Sequence, residues 1–194
     1  MLKKKDSRMK RKYLTIDEIN ALLKTIMLKS KSARDYCMVN MAFIHGLRVS
    51  ELTALKLEDY DPLSQKIYIK RLKGGLSTSH PLLPAENKIL KKWLEERKSF
   101  PGNNLPWLFL SHQGKKLSRQ RFYQLLSDYG RLACLPVNVH PHMLRHACGY
   151  TLAELGNDTR LIQDYLGHRN IQHTVLYTAA NSARFKNAWI KRKC

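Results

Sequence analysis

The stretch HPHMLRHACGY, residues 140–150, decides the fold of this chain. Pro141 suits the first turn of a helix and Gly156 a helix stop, so the stretch predicts a helix over residues 141–155. Residues three and four apart share one face of a helix. This helix therefore places His142, Arg145 and His146 together on one side.

These three side chains allow two interpretations. His142 and His146 have the spacing of a zinc-binding pair, but Met143 stands where a metalloprotease needs glutamate, and no nearby cysteine pair or carboxylate completes a ligand set. An anionic oxygen fits better, because Arg145 offers a forked guanidinium and His142 a ring N–H beside it. His140 and His146 are more simply interpreted as capping and core histidines.

A second candidate lies upstream in GLRVSEL, residues 46–52, where Arg48 falls in the turn between two predicted helices. A solvated surface arginine is one interpretation. Against it, Arg48 is flanked by Leu47 and Val49 and followed by Glu51, whose carboxylate would orient the guanidinium. The residues alone leave both interpretations open.

A third candidate lies downstream in LGHRN, residues 166–170, where His168 follows the helix stop at Gly167. Tyr177 comes nine residues later, in a short predicted helix over residues 171–178. A phenol, with an ordinary pKa of about 10, is a poor nucleophile at neutral pH unless cations stabilise the phenolate or a base takes its proton. Tyr165, by contrast, belongs to an apolar stripe and is predicted to pack in the core.

Capping signals and apolar periodicity predict a mainly helical α+β domain with one small antiparallel sheet. The predicted strands cover residues 65–72 and 77–83 and form a hairpin with Lys73 at its basic tip. The other predicted helices cover residues 15–28, 32–46, 84–99, 158–166 and 181–191. One short helix starts near Ser50, and a further helix follows Ser118.

The composition indicates a polyanionic partner. The 194 residues carry 35 Lys and Arg against 15 Asp and Glu, a formal net charge of +20, and a surplus of this size is usually kept for a polyanion. No stretch is long and apolar enough for a membrane-spanning helix. The four cysteines are scattered without a CxxC pair, which is typical of free thiols in a reducing cytosol.

Taken together, these motifs resemble the tyrosine recombinase (phage integrase) family. Four separated motifs occur in the family's order: the first-arginine box at Arg48, the HxxR box at His142 and Arg145, the third-histidine box at His168, and the nucleophile's position at Tyr177. Lys73 falls where the family carries a catalytic lysine on a β-hairpin. The wording around residues 140–150 and 158–171 is similar to that of the short, catalytic-domain-only invertases that switch bacterial fimbrial operons.

The resemblance implies a chemistry for each residue. Tyr177 would attack a scissile phosphodiester and form a 3′-phosphotyrosyl bond, which conserves the energy of the broken linkage, so no cofactor and no metal are expected. Arg48 and Arg145 would grip the non-bridging oxygens, and His142 and His168 would hydrogen-bond or move a proton there. Lys73 would protonate the leaving 5′-oxygen. Glu51 would support Arg48 or a neighbouring histidine.

It also implies an organisation and partners. We expect a basic arm over residues 1–12 and a catalytic domain over residues 13–194, with no separate N-terminal DNA-clamping domain. Expected partners are duplex DNA bearing inverted repeats, three further copies in a homotetramer, and accessory DNA-bending proteins, in the bacterial cytoplasm at the nucleoid. Phe185 and Trp189 in the tail, residues 181–194, would either dock on a neighbouring subunit or close the chain's own core.

Two other functions compete with site-specific inversion. A type IB topoisomerase uses similar tyrosine chemistry but swivels one strand instead of exchanging partners. A non-catalytic DNA-binding regulator would keep the fold and lose the chemistry. The fimbrial-type wording favours the recombinase, which would invert a DNA segment and thereby regulate transcription.

Overall fold

The structure, a computed structural model, describes residues 11–71 and 76–179. Eight α-helices and three strands lie in these residues: α1 Ile16–Lys29, α2 Ala33–Ile44, α3 Val49–Leu52, β1 Tyr60–Asp61, β2 Lys66–Ile69, β3 Thr78–Pro81, α4 Pro84–Lys98, α5 Arg119–Leu132, α6 Pro141–Glu154, α7 Thr159–Leu166 and α8 Gln172–Ala179. A 3-10 helix, Leu57–Asp59, precedes β1. The predicted mainly helical fold with one small sheet is confirmed.

The helix starts follow the capping signals of the sequence. Thr15 and Glu18 form a capping box at α1, Ser32 caps α2, and Ser118 caps α5. Each cap satisfies a backbone N–H that the first helical turn would leave without a partner. The helices consequently begin and end within about two residues of their predicted bounds.

The sheet is antiparallel in the order β1-β2-β3, with Ile67 of β2 opposite His80 of β3. Ile67 and Ile69 point into the core and are fully buried. The predicted hairpin is confirmed, although its strands are shorter than expected. The two-residue strand β1 was not predicted, because so short a strand has no periodicity to detect.

Helix α2 lies at the centre of the core. Apolar residues around most of its surface are buried, and it packs against α1, α4 and α6. Such all-round burial is typical of an internal helix. Helix α2 ends at Ile44, and His45 and Leu47 after it are buried. The loop that carries Arg48 therefore starts inside the core.

The last helices, α6, α7 and α8, pack on one another and carry the other candidate residues. Gly167 ends α7 in the left-handed conformation, with φ of 65°.

Cys37 and Cys148 are buried free thiols, whereas Cys134 is exposed. In the part of the chain that is described, no helix is long and apolar enough to cross a membrane. The predicted helix at 181–191 lies outside that part.

Candidate active site

The loop after α2 places Arg48 and Glu51 together. Gly46 has φ of +57°, and a Cβ there would lie 2.3 Å from Leu166 Cδ2, so only glycine fits this close crossing with α7. Arg48 then caps α3: its backbone N–H and its Nη1 donate to the two oxygens of Glu51, at 2.9 and 2.7 Å. The predicted orienting role of Glu51 toward Arg48 matches this geometry. The side chain of Arg48 remains 25% exposed, so a ligand can reach it.

Arg145 enters from α6 and is almost buried. Its guanidinium donates to the carbonyl of Gly46 and, at 2.8 Å, to that of Leu166, and its Nη1 lies 3.9 Å from Glu51 Oε2. Burial, together with the charges of Arg48 and Arg71, lowers the pKa of Arg145 to about 10. Arg145 therefore stays charged at neutral pH, and backbone carbonyls rather than a close carboxylate hold it in place.

Arg71, at the end of β2, is a third arginine here and one that the sequence analysis missed. Its Nη1 donates to Glu51 Oε2 at 2.9 Å, and the side chain is fully buried. The signal was present, because the alternation of buried Ile67 and Ile69 puts Arg71 on the same inward face. A charged residue at a buried strand position is rare enough to be informative.

Glu51 is the shared partner of the three arginines. Burial would raise the pKa of Glu51, but the charge of Arg71, the hydrogen bonds from Arg48 and the charge of Arg145 lower it overall. The carboxylate is thus ionised at neutral pH. Three guanidinium groups against one carboxylate leave a surplus of positive charge, which suits an anion of more than one negative oxygen.

Tyr177, on α8, lies next to this cluster and is 2% exposed. Its ring packs on the backbone of Gly149, where a Cβ would lie 2.6 Å from the ring, and on the ring of Tyr150. Burial raises the pKa of Tyr177 to about 12, although the charge of Arg145 works in the opposite direction. In this environment the phenol of Tyr177 is protonated and shielded from solvent.

His146 accompanies the Tyr177 hydroxyl, with Nδ1 and Oη 3.1 Å apart. The interpretation of His146 as a capping or core histidine overlooked this contact, although its position four residues after His142 on one face was a usable signal. His140 occupies the N-cap position of α6 without a side-chain cap. His142 is exposed at the start of the same helix.

His168 follows the end of α7 and is half-buried. Its Nδ1 pairs with Thr174 Oγ1 at 2.8 Å, and its ring is stacked at 6.4 Å from that of Tyr177. Burial, with the charges of Arg145 and Arg48, lowers the pKa of His168 to about 3. The imidazole is therefore neutral at physiological pH and offers a single N–H donor.

The fold thus brings together five predicted residues, namely Arg48, Glu51, Arg145, His168 and Tyr177, and adds Arg71 and His146. Lys73, Phe185 and Trp189 lie outside the described residues. Among the residues that are described, no group of three His, Cys, Asp or Glu side chains is placed to hold a metal ion. The arrangement can bind an oxyanion between arginines and set a tyrosine hydroxyl beside it.

Comparisons with known proteins show the family to which the chain belongs. The model of the phage integrase family matches residues 12–184. The Type 1 fimbriae regulatory protein FimB of Escherichia coli K12 is 52% identical over 188 residues, which is 97% of this chain and 94% of FimB. FimE of the same strain is 49% identical over 181 residues, or 93% of this chain and 91% of FimE.

Among solved structures, XerA recombinase superposes with a TM-score of 0.79 at 27% identity, over 94% of this chain. The chain spans 66% of the XerA chain. A family model that covers almost the whole chain, and relatives about half identical to it along nearly their full length, establish that the chain belongs to the phage integrase family of tyrosine recombinases.

Proposed function

We propose that this protein is a site-specific DNA recombinase that inverts a DNA segment through a covalent bond between Tyr177 and DNA. The observation that carries the proposal is the convergence on Glu51 of Arg48 and Arg145, which are far apart in sequence, with Tyr177 beside them. Likeness to two fimbriae regulatory proteins along nearly their full length supports a role in switching fimbrial genes.

The two arginines would bind the scissile phosphate. Arg48 is partly exposed and would meet a non-bridging oxygen first, while Arg145 is held in place by two carbonyls before DNA arrives. Guanidinium groups that need no rearrangement stabilise the negative charge that grows in the transition state. Glu51 would keep both arginines in register.

Tyr177 would attack the phosphorus. Its hydroxyl would give up its proton to neutral His146, whose Nδ1 lies 3.1 Å from the oxygen. The oxygen then forms a bond to phosphorus while the bond to the 5′-oxygen breaks, and the leaving oxygen takes up a proton, which we assign to Lys73. Neutral His168 would donate its N–H to the phosphate, and His142 would hydrogen-bond or move a proton from the exposed side. Because the phosphotyrosyl bond keeps the energy of the linkage, rejoining is the reverse reaction.

The Tyr177 side chain is buried, so the residues over its hydroxyl have to move before it reaches a phosphate. The proposal extends to the assembly: a homotetramer on inverted repeats, joined through residues 181–194, with accessory DNA-bending proteins. Residues 1–12 would be a basic arm that holds DNA beside a catalytic domain at 13–194. Action on chromosomal DNA would place the protein at the nucleoid, in the cytoplasm.

A nicked duplex carrying the inverted repeat beside the gene tests the chemistry. Because the nick lets the short product diffuse away, the wild-type protein should accumulate a covalent adduct visible on a denaturing gel. Tyr177→Phe should form no adduct and bind the duplex with unchanged affinity, whereas Tyr36→Phe, a half-buried tyrosine of α2, serves as the control and should retain the adduct. Adducts in Tyr177→Phe would show that the nucleophile is another residue.

A plasmid with two inverted copies of the repeat tests whether DNA cleavage leads to recombination. Inversion of the intervening segment is expected. Relaxation of supercoils without inversion would instead support a type IB topoisomerase, and binding without any adduct would support a non-catalytic regulator.

A further inference from the structure

Arg71 and Arg145 make parallel connections between the same two helix ends. At the end of α2, Arg71 donates to the carbonyl of His45 at 3.2 Å, and Arg145 donates to the next carbonyl, that of Gly46. At the end of α7, Arg71 donates to the carbonyl of Tyr165 at 2.6 Å, and Arg145 to that of Leu166. Adjacent carbonyls on two helices therefore hold two adjacent guanidiniums.

The helix ends and Glu51 offset part of the cost of burying two neighbouring cations, a cost that appears in the lowered pKa of both Arg71 and Arg145. The last carbonyls of a helix lack intrahelical partners and carry the negative end of the helix dipole, so both helix ends attract cations. The two guanidiniums would repel each other if nothing lay between them, and Glu51 accepts a hydrogen bond from Arg71 while lying 3.9 Å from Arg145. The carboxylate thus allows two cations to sit side by side in a buried place.

Arg71 has no access to DNA itself, because its side chain is fully buried. Gly167 lies directly against the Arg71 side chain: a Cβ at Gly167 would lie 2.8 Å from Arg71 Cγ and 3.0 Å from its Nε. The glycine that ends α7 before His168 is therefore fitted to Arg71 as well as to its own backbone angle. Arg71 touches three of the segments that carry the site residues without lining the site.

We propose that Arg71 is a positioning residue for DNA cleavage: through Glu51 it fixes Arg48, and through Tyr165 it fixes the end of α7 that holds Arg145 and His168. This inference rests on the proposed function. Two consequences follow. Loss of Arg71 should slow the chemical step and not weaken DNA binding, and it should make cleavage sensitive to the protonation of Glu51, which would lose its strongest cationic partner.

The test uses Arg71→Met, which removes the charge and keeps most of the volume, and Arg71→Lys, which keeps the charge but cannot span three acceptors. Arg97→Met is the matched control, since Arg97 is also a buried arginine that donates to carbonyls, those of Asn103, Leu105 and Trp107, away from the site. Single-turnover adduct formation on the nicked duplex is measured from about pH 5 to pH 8, with duplex affinity and the thermal midpoint.

For Arg71→Met we expect cleavage to fall about 10- to 100-fold at neutral pH, the scale found for residues that orient functional groups at metal sites. Duplex affinity should stay unchanged. The cleavage rate of Arg71→Met should recover toward higher pH as Glu51 ionises. Adding Glu51→Gln to Arg71→Met should remove that pH dependence. Arg71→Lys should also lose rate but keep the wild-type pH profile, and Arg97→Met should lower only the thermal midpoint.

Three outcomes would overturn the inference. The first is wild-type cleavage by folded Arg71→Met or, should that variant not fold, by Arg71→Lys. The second is a rate loss in Arg71→Met that is matched by Arg97→Met, and the third is a rate loss that disappears at saturating DNA. Absence of an adduct with the wild-type protein would instead refute the proposed function.

Discussion

At the scale of single residues, what holds each arginine determines what it can still bind. Arg48 is paired with a carboxylate, which consumes part of its charge, but its side chain is partly open to solvent. Arg145 is buried on two neutral carbonyls, which fix its direction, and Glu51, 3.9 Å away, offsets only part of its charge. The pair combines an accessible cation with a rigid one.

Arg145→Lys tests this division of roles. An ammonium keeps the charge but cannot reach the carbonyls of Gly46 and Leu166 and a phosphate in one plane. We expect adduct formation to fall about 100- to 1000-fold, as when an oxyanion contact is removed, with modest loss of duplex affinity. Arg160→Lys, an exposed residue of α7, is the control and should cleave normally. Wild-type cleavage by Arg145→Lys would show that charge alone suffices.

At the scale of elements, the fit between α6 and α8 sets the position of the tyrosine. Gly149 lets the two helices approach until the ring of Tyr177 lies on the α6 backbone. We predict that Gly149→Ala, whose Cβ would lie 2.6 Å from that ring, displaces Tyr177 and lowers adduct formation by more than tenfold. The gel assay on the nicked duplex measures this loss.

Gly130→Ala on α5 is the control for that change. Its Cβ would lie 2.5 Å from Val139 Cγ2, so it introduces a similar clash away from the site. Both variants should melt at lower temperature, and only Gly149→Ala should lose cleavage relative to its folded fraction. Equal losses of activity in the two variants would mean that general stability, not the position of Tyr177, is responsible.

Strand β3 and the end of α2 together bury a pair of histidines. His80 Nδ1 and His45 Nδ1 are 3.3 Å apart, and burial with the charges of His45 and Arg71 lowers the pKa of His80 to about 3. In the unfolded chain His80 takes up its proton near pH 6.5. The unfolded state therefore binds more protons than the folded state between these two values.

The contribution of neutral His80 to the free energy of unfolding should accordingly be fully present above about pH 6.5. It should decline as the pH falls toward 3, by up to about 1.4 kcal/mol per pH unit for this one proton. Urea unfolding at several pH values measures the slope. His80→Gln should make it shallower, while the same change at the exposed His173 should not. A slope unaltered in His80→Gln would contradict the assignment.

At the scale of the whole molecule, the net charge of +20 has two uses. A few cations, Arg48, Arg71 and Arg145, lie together around Glu51. Most of the other Lys and Arg side chains that the structure describes are exposed and are suited to the DNA backbone, where each neutralised phosphate releases counterions.

We expect affinity for non-specific duplex DNA to fall steeply with salt, with a log–log slope that grows by about 0.9 for each phosphate contacted. Fluorescence anisotropy over a salt series gives the slope, and removal of residues 1–10 should reduce it. An affinity that does not change with salt would contradict a role for the surface charge in DNA binding. An unchanged slope after the deletion would show that the arm makes no phosphate contacts.

The sequence by itself determined the helices and their caps, because these depend on local signals, and it predicted most of the candidate site residues. Thr15, Ser32 and Ser118 satisfy backbone groups within four residues of themselves, and the pairing of Arg48 with Glu51 spans only three. Motif spacing also predicted Tyr177 and His168 as site residues, since resemblance to a family carries information about positions that no local pattern contains.

Only the tertiary structure decided how these residues are held. Arg71 reaches a carbonyl 94 residues away in sequence, Arg145 one that is 99 residues away, and His146 meets Tyr177 across 31 residues. Burial and the pairing of charges arise from segments that meet on folding, and no periodicity encodes which carbonyl a guanidinium will find. The contacts of Arg71, and that of His146 with Tyr177, therefore became visible only once helices α2, α6, α7 and α8 were packed.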